Sequence, residues 1–129
     1  MSLPSCMRAL VSFLCLPVLC VVLAGCDREG PPAPDPAIIA TLRPADARLA
    51  DIYATSCLAC HTTPDSGAPQ TGHAAQWKDR LAKGMPALLK NVVEGINGMP
   101  AGGQCFACAP ADYEALIRFM SQPAGTPAP

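Results

Sequence analysis

The hydrophobic pattern of the chain predicts helices at both ends of one small domain. After Pro44, a largely apolar stripe recurs at the spacing i, i+3, i+4 and i+7, which defines one face of a helix: Leu49, Ile52, Tyr53 and Ser56. The same spacing returns near the end of the chain at Tyr113, Leu116, Ile117 and Met120. We expect the two stripes to cross and pack against each other, which would close the domain.

Two further helices are expected between these, over about 74–83 and about 87–94, each ended by a glycine. No segment alternates as a strand does. The predicted fold class is therefore all-α, with about four helices. The whole chain has only 1 Trp, 2 Tyr and 3 Phe, so a bare bundle of this size would have little to pack, and we expect something else to fill its centre.

The first 25 residues have the order of an export signal. Arg8 is the only charged residue before Asp27, and the apolar run 9–23 that follows it contains Pro17. This run is shorter than the roughly 20 residues of a membrane-spanning helix, and a central proline is costly there. Residues 1–25 are therefore predicted to be a signal peptide that is removed.

The end of this segment, Leu23-Ala24-Gly25-Cys26, resembles the lipobox of bacterial lipoproteins. The resemblance implies that the chain is cleaved immediately before Cys26. It also implies that the sulfur of Cys26 carries diacylglycerol, which would anchor the protein to a membrane. Asp27 resembles the enterobacterial signal for retention in the inner membrane, so the expected location is the periplasm, at the inner membrane. An uncleaved anchor and a simple secretory signal are the alternatives.

Composition divides the remaining chain into three parts. Residues 26–43 are rich in proline and poor in large apolar side chains, which predicts an extended tether. Residues 44–122 would form the domain, and 123–129 a disordered tail. The formal net charge of −1 gives no basis for binding a phosphate backbone, so nucleic acid is not an expected partner.

The segment Cys57-Leu58-Ala59-Cys60-His61 carries the candidate chemistry. Two thiols three residues apart, followed at once by histidine, form the pattern of covalent c-type heme attachment. On one helical turn both sulfurs reach the vinyl groups of one porphyrin, and His61 places an imidazole under the iron. This attachment occurs outside the cytoplasm, in agreement with the export signal. A chance match, a zinc half-site and a redox dithiol are the alternatives.

Two Gly-Met-Pro segments compete to supply a second iron ligand. Met85 follows a predicted helix, whereas Met99 lies in the glycine-rich stretch 95–103. Because an irregular loop can carry a thioether over a heme face, we predict Met99 as the ligand and Met85 and Met120 as core residues. His73 precedes a predicted helix and is expected to be a cap or surface residue.

These residues resemble the class I c-type cytochromes, and within them the bacterial cytochrome c-five type. The resemblance runs from about Tyr53 to Met120, and its discriminating element is a second C-x-x-C, Cys105 to Cys108, after the methionine. It implies a small monoheme cytochrome fold around one covalent heme c, with a disulfide between Cys105 and Cys108. A dithiol or a four-cysteine zinc site is the alternative reading of this pair.

The resemblance also implies roles for three residues beside the heme. The carbonyl of Pro69 would accept a hydrogen bond from the axial histidine, and Trp77 and Arg80, three residues apart on one helical face, would reach the propionates. Plain core packing for Trp77 and a solvated face for Arg80 are the alternatives. Ala109 stands where the family favours a polar helix cap, so Pro110 and Asp112 would have to compensate.

The function predicted from this pattern is electron transport by a monoheme carrier. With His61 and Met99 on the two axial positions, no small-molecule substrate reaches the iron and no catalytic residue is expected, so the protein is not predicted to be an enzyme. Transient redox proteins are the expected partners, docking near Leu58, Ala59 and Ala101. A dedicated cytochrome subunit of a periplasmic dehydrogenase or terminal oxidase is the alternative, and a zinc-bound structural module is a third.

Overall fold

The computed structural model describes residues 32–126, and the predicted signal peptide, Cys26 and Asp27 lie outside them. The described chain is helical, with no strand in this part and one isolated bridge between Ile96 and Met99. None of the helices in the described part is both long and apolar enough to cross a bilayer. The helices are α1 Pro36–Thr41, α2 Ala47–Ile52, α3 Leu58–His61, α4 Ala74–Leu81, α5 Met85–Glu94 and α6 Pro110–Ser121.

The predicted contact between the first and last helical stripes is confirmed. Helix α2 packs against α6, and the rings of Tyr53 and Phe119 meet edge to face with their centroids 5.1 Å apart. The buried core is formed by six side chains: Tyr53, Trp77, Leu88, Leu116, Ile117 and Met120. Met85 packs against this cluster, as the sequence predicts.

The first long helical run is not a single regular helix. Between α2 and α3 lies a π-helical turn, Tyr53–Cys57, in which the Leu58 N–H donates to the Tyr53 carbonyl five residues earlier. A π turn adds a residue to the helix and rotates everything after it, and such turns are common at functional sites. Here the turn ends at Cys57, so it sets the direction of the predicted heme-attachment segment.

The structure differs from the predicted tether at residues 36–43. Asp35 caps α1 by accepting the Ala37 N–H at 2.8 Å, and the side chain of Ile39 is fully buried. Burying an isoleucine stabilises a docked segment by about 2 kcal/mol, which the sparse apolar content of this stretch did not suggest. Any flexible tether within the predicted span therefore ends before Asp35.

Gly72 contacts the segments at both ends of the described chain. The Gly72 N–H donates to Met120, the Ala124 N–H donates to the Gly72 carbonyl, and a Cβ on Gly72 would lie 2.9 Å from Leu42 Cδ1. Residues up to Ala124 thus continue the domain past the predicted boundary at 122. Glycine is required here because the two terminal segments pass within contact distance of its Cα.

Asp112 replaces the missing cap at the start of α6. Its carboxylate accepts the Ala109 N–H at 2.9 Å and both guanidinium nitrogens of Arg48, at 2.6 and 2.9 Å. Because Arg48 lies on α2, this bidentate pair ties the first helical run to the last. The Arg48 hydrogen bonds, helped by the Ala109 N–H, lower the pKa of the Asp112 carboxyl to about 2.

We expect Asp112→Asn to lower the stability of the fold at neutral pH and to remove the part of that stability that is lost on acidification. A carboxyl whose pKa is depressed in the folded state stabilises the fold above its unfolded pKa of about 3.8, and this contribution disappears as pH falls towards 2. The melting-temperature difference between wild type and variant should therefore be constant near neutrality and shrink below about pH 4. Glu114→Gln is the control, because it removes the same charge from an exposed pair with Arg118. Equal pH profiles for both variants would contradict this role.

Candidate heme site

The predicted attachment residues lie together on consecutive helical turns. Cys57 ends the π turn, and Cys60 and His61 are the last two residues of α3. Cys60 is exposed, Cys57 is half-buried, and neither forms a disulfide in the described part of the chain. Burial, helped by Cys60, raises the pKa of the Cys57 thiol to about 11. Cys57 is thus a protonated thiol at neutral pH, and neither cysteine is committed to a disulfide, so both are available for attachment to a vinyl group.

The geometry around His61 fixes which ring nitrogen is free. Nδ1 lies 2.7 Å from the Pro69 carbonyl oxygen, and because a carbonyl can only accept, Nδ1 carries the proton. Nε2 then holds a lone pair, and it forms no hydrogen bond with any described residue. Burial and the charge of Arg80 lower the pKa of the imidazole, against the effect of the Pro69 hydrogen bond. A neutral imidazole with a free Nε2 is the form that binds a metal.

The loop that carries Pro69 is itself held in place. The Thr71 N–H donates to the His61 carbonyl at 2.8 Å, and the buried hydroxyls of Tyr53 and Thr71 are hydrogen-bonded at 2.8 Å. The side chain of Gln76 accepts the Gln70 N–H at 2.7 Å. The sequence analysis missed Thr71 and Gln76, because only the folded loop shows that they fix the histidine's partner.

Trp77 packs beside His61, and the propionate contact that the resemblance implied for it stays a prediction. Its ring is buried and stacks on the imidazole of His61, with centroids 5.9 Å apart. Its only donor, the indole N–H, is used at 2.9 Å by the Gln70 carbonyl. Core packing beside the histidine therefore describes Trp77 in this structure, and propionate binding by its N–H would require this hydrogen bond to be shared.

Arg80 lies one helical turn from Trp77, at the edge of a cleft of about 300 Å³ that Pro69 and Gln76 also line. Its side chain is exposed, and one nitrogen donates to the Gln76 carbonyl at 2.5 Å. The guanidinium has four further donors. The contact with a propionate stays a prediction, and the position of Arg80 is compatible with it.

The loop of Met99 is shaped by its backbone. Ile96 and Met99 exchange N–H to carbonyl hydrogen bonds of 3.0 and 2.9 Å, which closes a tight turn before the methionine. The side chain of Met99 is half-buried and lies outside the hydrophobic core that Met85 joins. A Cβ on Gly103 would lie 3.1 Å from Met99 Cε. The absence of a side chain at Gly103 therefore leaves room for the terminal methyl group of Met99.

The segment after Met99 packs against the attachment segment. A 3-10 turn, Ala101–Gln104, contacts the π turn Tyr53–Cys57. The Tyr113 hydroxyl donates to the carbonyls of Cys105 and Gly102, at 2.7 and 3.1 Å. The sequence pattern assigned Tyr113 only to an apolar stripe, yet its hydroxyl holds this loop. Cys105 and Cys108 are joined as a disulfide, with Cα atoms 5.4 Å apart.

These donors fit a heme and do not fit zinc. Two thiols on adjacent turns, an imidazole with a free Nε2 and a thioether on a loop that reaches the same region match the ligand set of a covalent His/Met heme. Within residues 32–126, no group of three or more His, Cys, Asp or Glu side chains is arranged to hold a metal ion. The four-cysteine zinc alternative is therefore unsupported.

Comparison with known proteins agrees with this chemistry. Residues 44–120 match the family model described as cytochrome c oxidase, cbb3-type, subunit III. The chain is 38% identical over 73 residues to cytochrome c5 of Ectopseudomonas mendocina, covering 55% of this chain and 84% of that protein. It is 41% identical over 73 residues to cytochrome c5 of Azotobacter vinelandii, covering 55% of this chain and 88% of that protein.

A solved structure agrees as well. It is described as the crystal structure of an electron transfer complex of nitrite reductase with cytochrome c, and its matching chain is 32% identical, with a TM-score of 0.52. The match covers 59% of this chain and 93% of that chain. Family, relatives and fold all agree with the predicted resemblance. The chain belongs to the class I c-type cytochromes of the c5 type, a family of monoheme electron-transfer proteins with covalently bound heme c.

Proposed function

We propose that this cytochrome is a membrane-anchored periplasmic carrier of single electrons, with His61 and Met99 as its two iron ligands. The observation that carries the proposal is the 2.7 Å hydrogen bond from His61 Nδ1 to Pro69. Of the two ring nitrogens of His61, this hydrogen bond leaves only Nε2 available to the iron. His61 directly follows Cys60 in the chain. Cys57 and Cys60 would hold the porphyrin through thioether bonds.

The protein's own groups then determine what the site does. Heme c supplies a one-electron iron couple when bound. His61 and Met99 would both bind the iron and leave it no place for a substrate, so the protein would act as a carrier and not as an enzyme. The neutral thioether of Met99 would favour the reduced state and raise the potential. Pro69 orients the imidazole, Trp77 packs on it, and Arg80 would pair with a propionate at the cleft edge.

The Cys105–Cys108 disulfide would act locally. A bond that closes so short a loop removes little entropy from the unfolded chain, so its effect on global stability should be small. Its neighbours are more informative, because the Tyr113 hydroxyl binds the Cys105 carbonyl beside it. We propose that the disulfide and Tyr113 together hold the 3-10 turn that follows Met99.

Membrane attachment is proposed through lipidated Cys26 at the periplasmic face of the inner membrane. Since the docked segment begins at Asp35, only residues 26–34 separate the lipid from the domain. At about 3.1 Å per extended residue these nine residues reach about 28 Å at most. The cytochrome would therefore meet its redox partners close to the membrane surface. The electron transfer complex of nitrite reductase with a cytochrome c similar to this chain supports a redox protein as partner.

A second role is a dedicated subunit of a larger respiratory complex, and the description of the matching family as an oxidase subunit favours it. The two roles differ in how the protein leaves the membrane. A carrier is recovered alone after mild detergent extraction, whereas a subunit is recovered in fixed proportion to its complex.

Mass spectrometry of the exported protein tests attachment and anchoring together. We expect wild type to weigh one heme and its acyl groups more than the polypeptide from Cys26 onward. The double variant Cys57→Ser, Cys60→Ser should lose the heme mass alone, and Cys26→Ser should lose the acyl groups while keeping the heme. A wild-type protein with no mass beyond peptide and acyl groups would contradict the proposed heme attachment.

A further inference from the structure

A buried pair of hydroxyl groups joins the two segments on which the heme site depends. The side chains of Tyr53 and Thr71 are both fully buried, and their oxygens lie 2.8 Å apart although the residues are 18 positions apart in the chain. Tyr53 begins the π turn that ends at Cys57, and Thr71 follows Pro69 by two residues. We call these two groups the hydroxyl pair. It connects the start of the attachment segment to the loop that binds the His61 ring.

Solvent does not reach the hydroxyl pair. The Tyr53 ring packs edge to face against Phe119, and the guanidinium carbon of Arg43 lies 5.9 Å from the centroid of the same ring. Among the described residues, neither hydroxyl has another hydrogen-bond partner. A buried hydroxyl that loses its partner destabilises the folded state, so Tyr53 and Thr71 are held at one fixed distance.

The loop reached by the hydroxyl pair holds His61 at two points. The Thr71 N–H donates to the His61 carbonyl at 2.8 Å, and the Pro69 carbonyl accepts the Nδ1 proton of the ring at 2.7 Å. The chain from Tyr53 to His61 is helical throughout. The hydroxyl pair therefore closes a ring of contacts that runs along this helical segment to His61, across to the loop, and back to Tyr53.

The other supports of the loop do not make this connection. The Gln70 N–H donates to the side chain of Gln76 at 2.7 Å, and the Gln70 carbonyl accepts the Trp77 N–H at 2.9 Å. Both contacts tie the middle of the loop to helix α4. Among the hydrogen bonds of residues 69–71 within the described chain, only the hydroxyl pair reaches the chain before Cys57. Its removal would free the loop from the attachment segment and leave the contacts with α4 in place.

We propose that Tyr53 and Thr71 are positioning residues for the axial histidine, because their hydroxyl pair holds the Pro69 loop where the Nδ1–H of His61 can bond it, and that they thereby lower the reduction potential. The proposal rests on the proposed ligation of iron by His61. A hydrogen bond donated by Nδ1 makes Nε2 a stronger electron donor. A stronger donor stabilises the oxidised state, so loosening the loop would raise the potential.

Thr71→Val in the detergent-solubilised holoprotein tests the proposal. Valine is close to threonine in shape and removes only the hydroxyl. We expect the ratio of reduced to oxidised protein at a fixed potential to rise about threefold, a shift of about 28 mV, since tenfold is 59 mV for one electron. Exchange of the His61 Nδ1 proton with deuterium, followed by NMR in the reduced state, should become about fivefold faster.

Thr55→Val is the matched control. It makes the same substitution on the same π turn, where the exposed Thr55 hydroxyl donates to the Asp51 carbonyl at 2.9 Å. Because this hydroxyl does not contact the Pro69 loop, the potential and the exchange of the ring proton should both equal those of wild type. Ile117→Val controls for stability, since it removes a buried methylene from the core. It should lower the melting temperature and leave the potential unchanged.

The double variant Tyr53→Phe, Thr71→Val separates positioning from stability. Each single variant leaves one buried hydroxyl without a partner, whereas the double variant removes both hydroxyls and should recover most of the melting temperature. If the pair were only structural, the potential would recover together with the stability. We expect the raised potential and the fast proton exchange to persist in the double variant. A double variant with the wild-type potential would overturn the proposal.

The optical spectrum of each sample distinguishes this proposal from the proposed function. A wild-type protein without covalent heme would overturn both, because no ligation by His61 would then exist. A wild-type protein that carries heme and shows the thioether-to-iron band, together with a Thr71→Val protein of unchanged potential, would overturn the positioning role alone.

Discussion

Met99→Ala is expected to abolish the thioether-to-iron band at the red end of the oxidised spectrum and to lower the reduction potential, while heme stays covalently attached. The band requires sulfur on the iron, and the neutral thioether stabilises the reduced state. With the side chain removed, water or another group occupies the position and the oxidised state gains stability. Absorption spectra and a redox titration measure the two effects.

Met85→Ala is the matched control, because both methionines stand in the same Gly-Met-Pro context. Met85 begins α5 and packs against the hydrophobic core. Its truncation should cost about 2 kcal/mol in stability by removing packing and leave the red band intact. Met99 lies outside that core, and a Cβ on Gly103 would nearly touch its methyl group. Loss of the band in Met85→Ala, with retention in Met99→Ala, would reverse the ligand assignment.

The choice between the two methionines illustrates what the sequence alone could predict. The spacing of Cys57, Cys60 and His61 is local and fixed by chemistry, so it predicted the attachment segment directly. The loop argument for Met99 used only the density of glycine around it. The structure adds information that residue spacing does not give. Met85 packs against the hydrophobic core, whereas the backbone of Met99 is held by reciprocal hydrogen bonds with Ile96.

The fold was predicted where amphipathic periodicity is strong and missed where tertiary packing decides. The stripes at Tyr53 and Leu116 placed the terminal helices correctly. The short helix around Ile39 was missed, because one buried isoleucine among prolines gives no periodic signal. Its stability comes from distant contacts, the fully buried Ile39 and the close approach of Leu42 to Gly72.

Residues that hold the loops of Pro69 and Met99 in place could not be predicted from the sequence either. Gln76 accepts a backbone N–H of the Pro69 loop, and Thr71 bonds Tyr53 through its hydroxyl and His61 through its N–H. Tyr113 acts through carbonyls of the Met99 loop. Hydrogen bonds from side chains to distant backbone have no sequence pattern. The hydrogen bond from the Trp77 N–H to the Gln70 carbonyl likewise has no sequence pattern, and the propionate contact implied for Trp77 stays a prediction.

Two glycines give a test of how the Met99 loop is held. Gly84 and Gly95 flank the same helix, α5, as its N-cap and C-cap, with nearly identical dihedral angles, φ 83° and ψ 156° against φ 82° and ψ 158°. This region of backbone conformation is almost restricted to glycine, and a side chain there costs on the order of 1–3 kcal/mol. The conformational cost of an alanine is therefore the same at both positions.

The surroundings of the two glycines are not the same. A Cβ on Gly84 would meet only Pro86 Cδ, at 3.8 Å, which is an ordinary contact. A Cβ on Gly95 would lie 2.8 Å from the Met99 carbonyl oxygen and 2.9 Å from the Ala101 nitrogen. These are backbone atoms of the methionine loop, so they cannot turn aside as a flexible side chain does.

We therefore expect Gly84→Ala to lower the melting temperature and leave the thioether band unchanged, whereas Gly95→Ala lowers the melting temperature further and weakens or removes the band. The difference between the variants isolates the steric effect, because the dihedral cost is common to both. Thermal unfolding and the oxidised spectrum, recorded on the same samples, measure it. Since the clash acts on the Met99 backbone itself, a Gly95→Ala protein with a full band would mean that the loop yields without moving the sulfur, and that the close approach of Gly95 does not position the ligand.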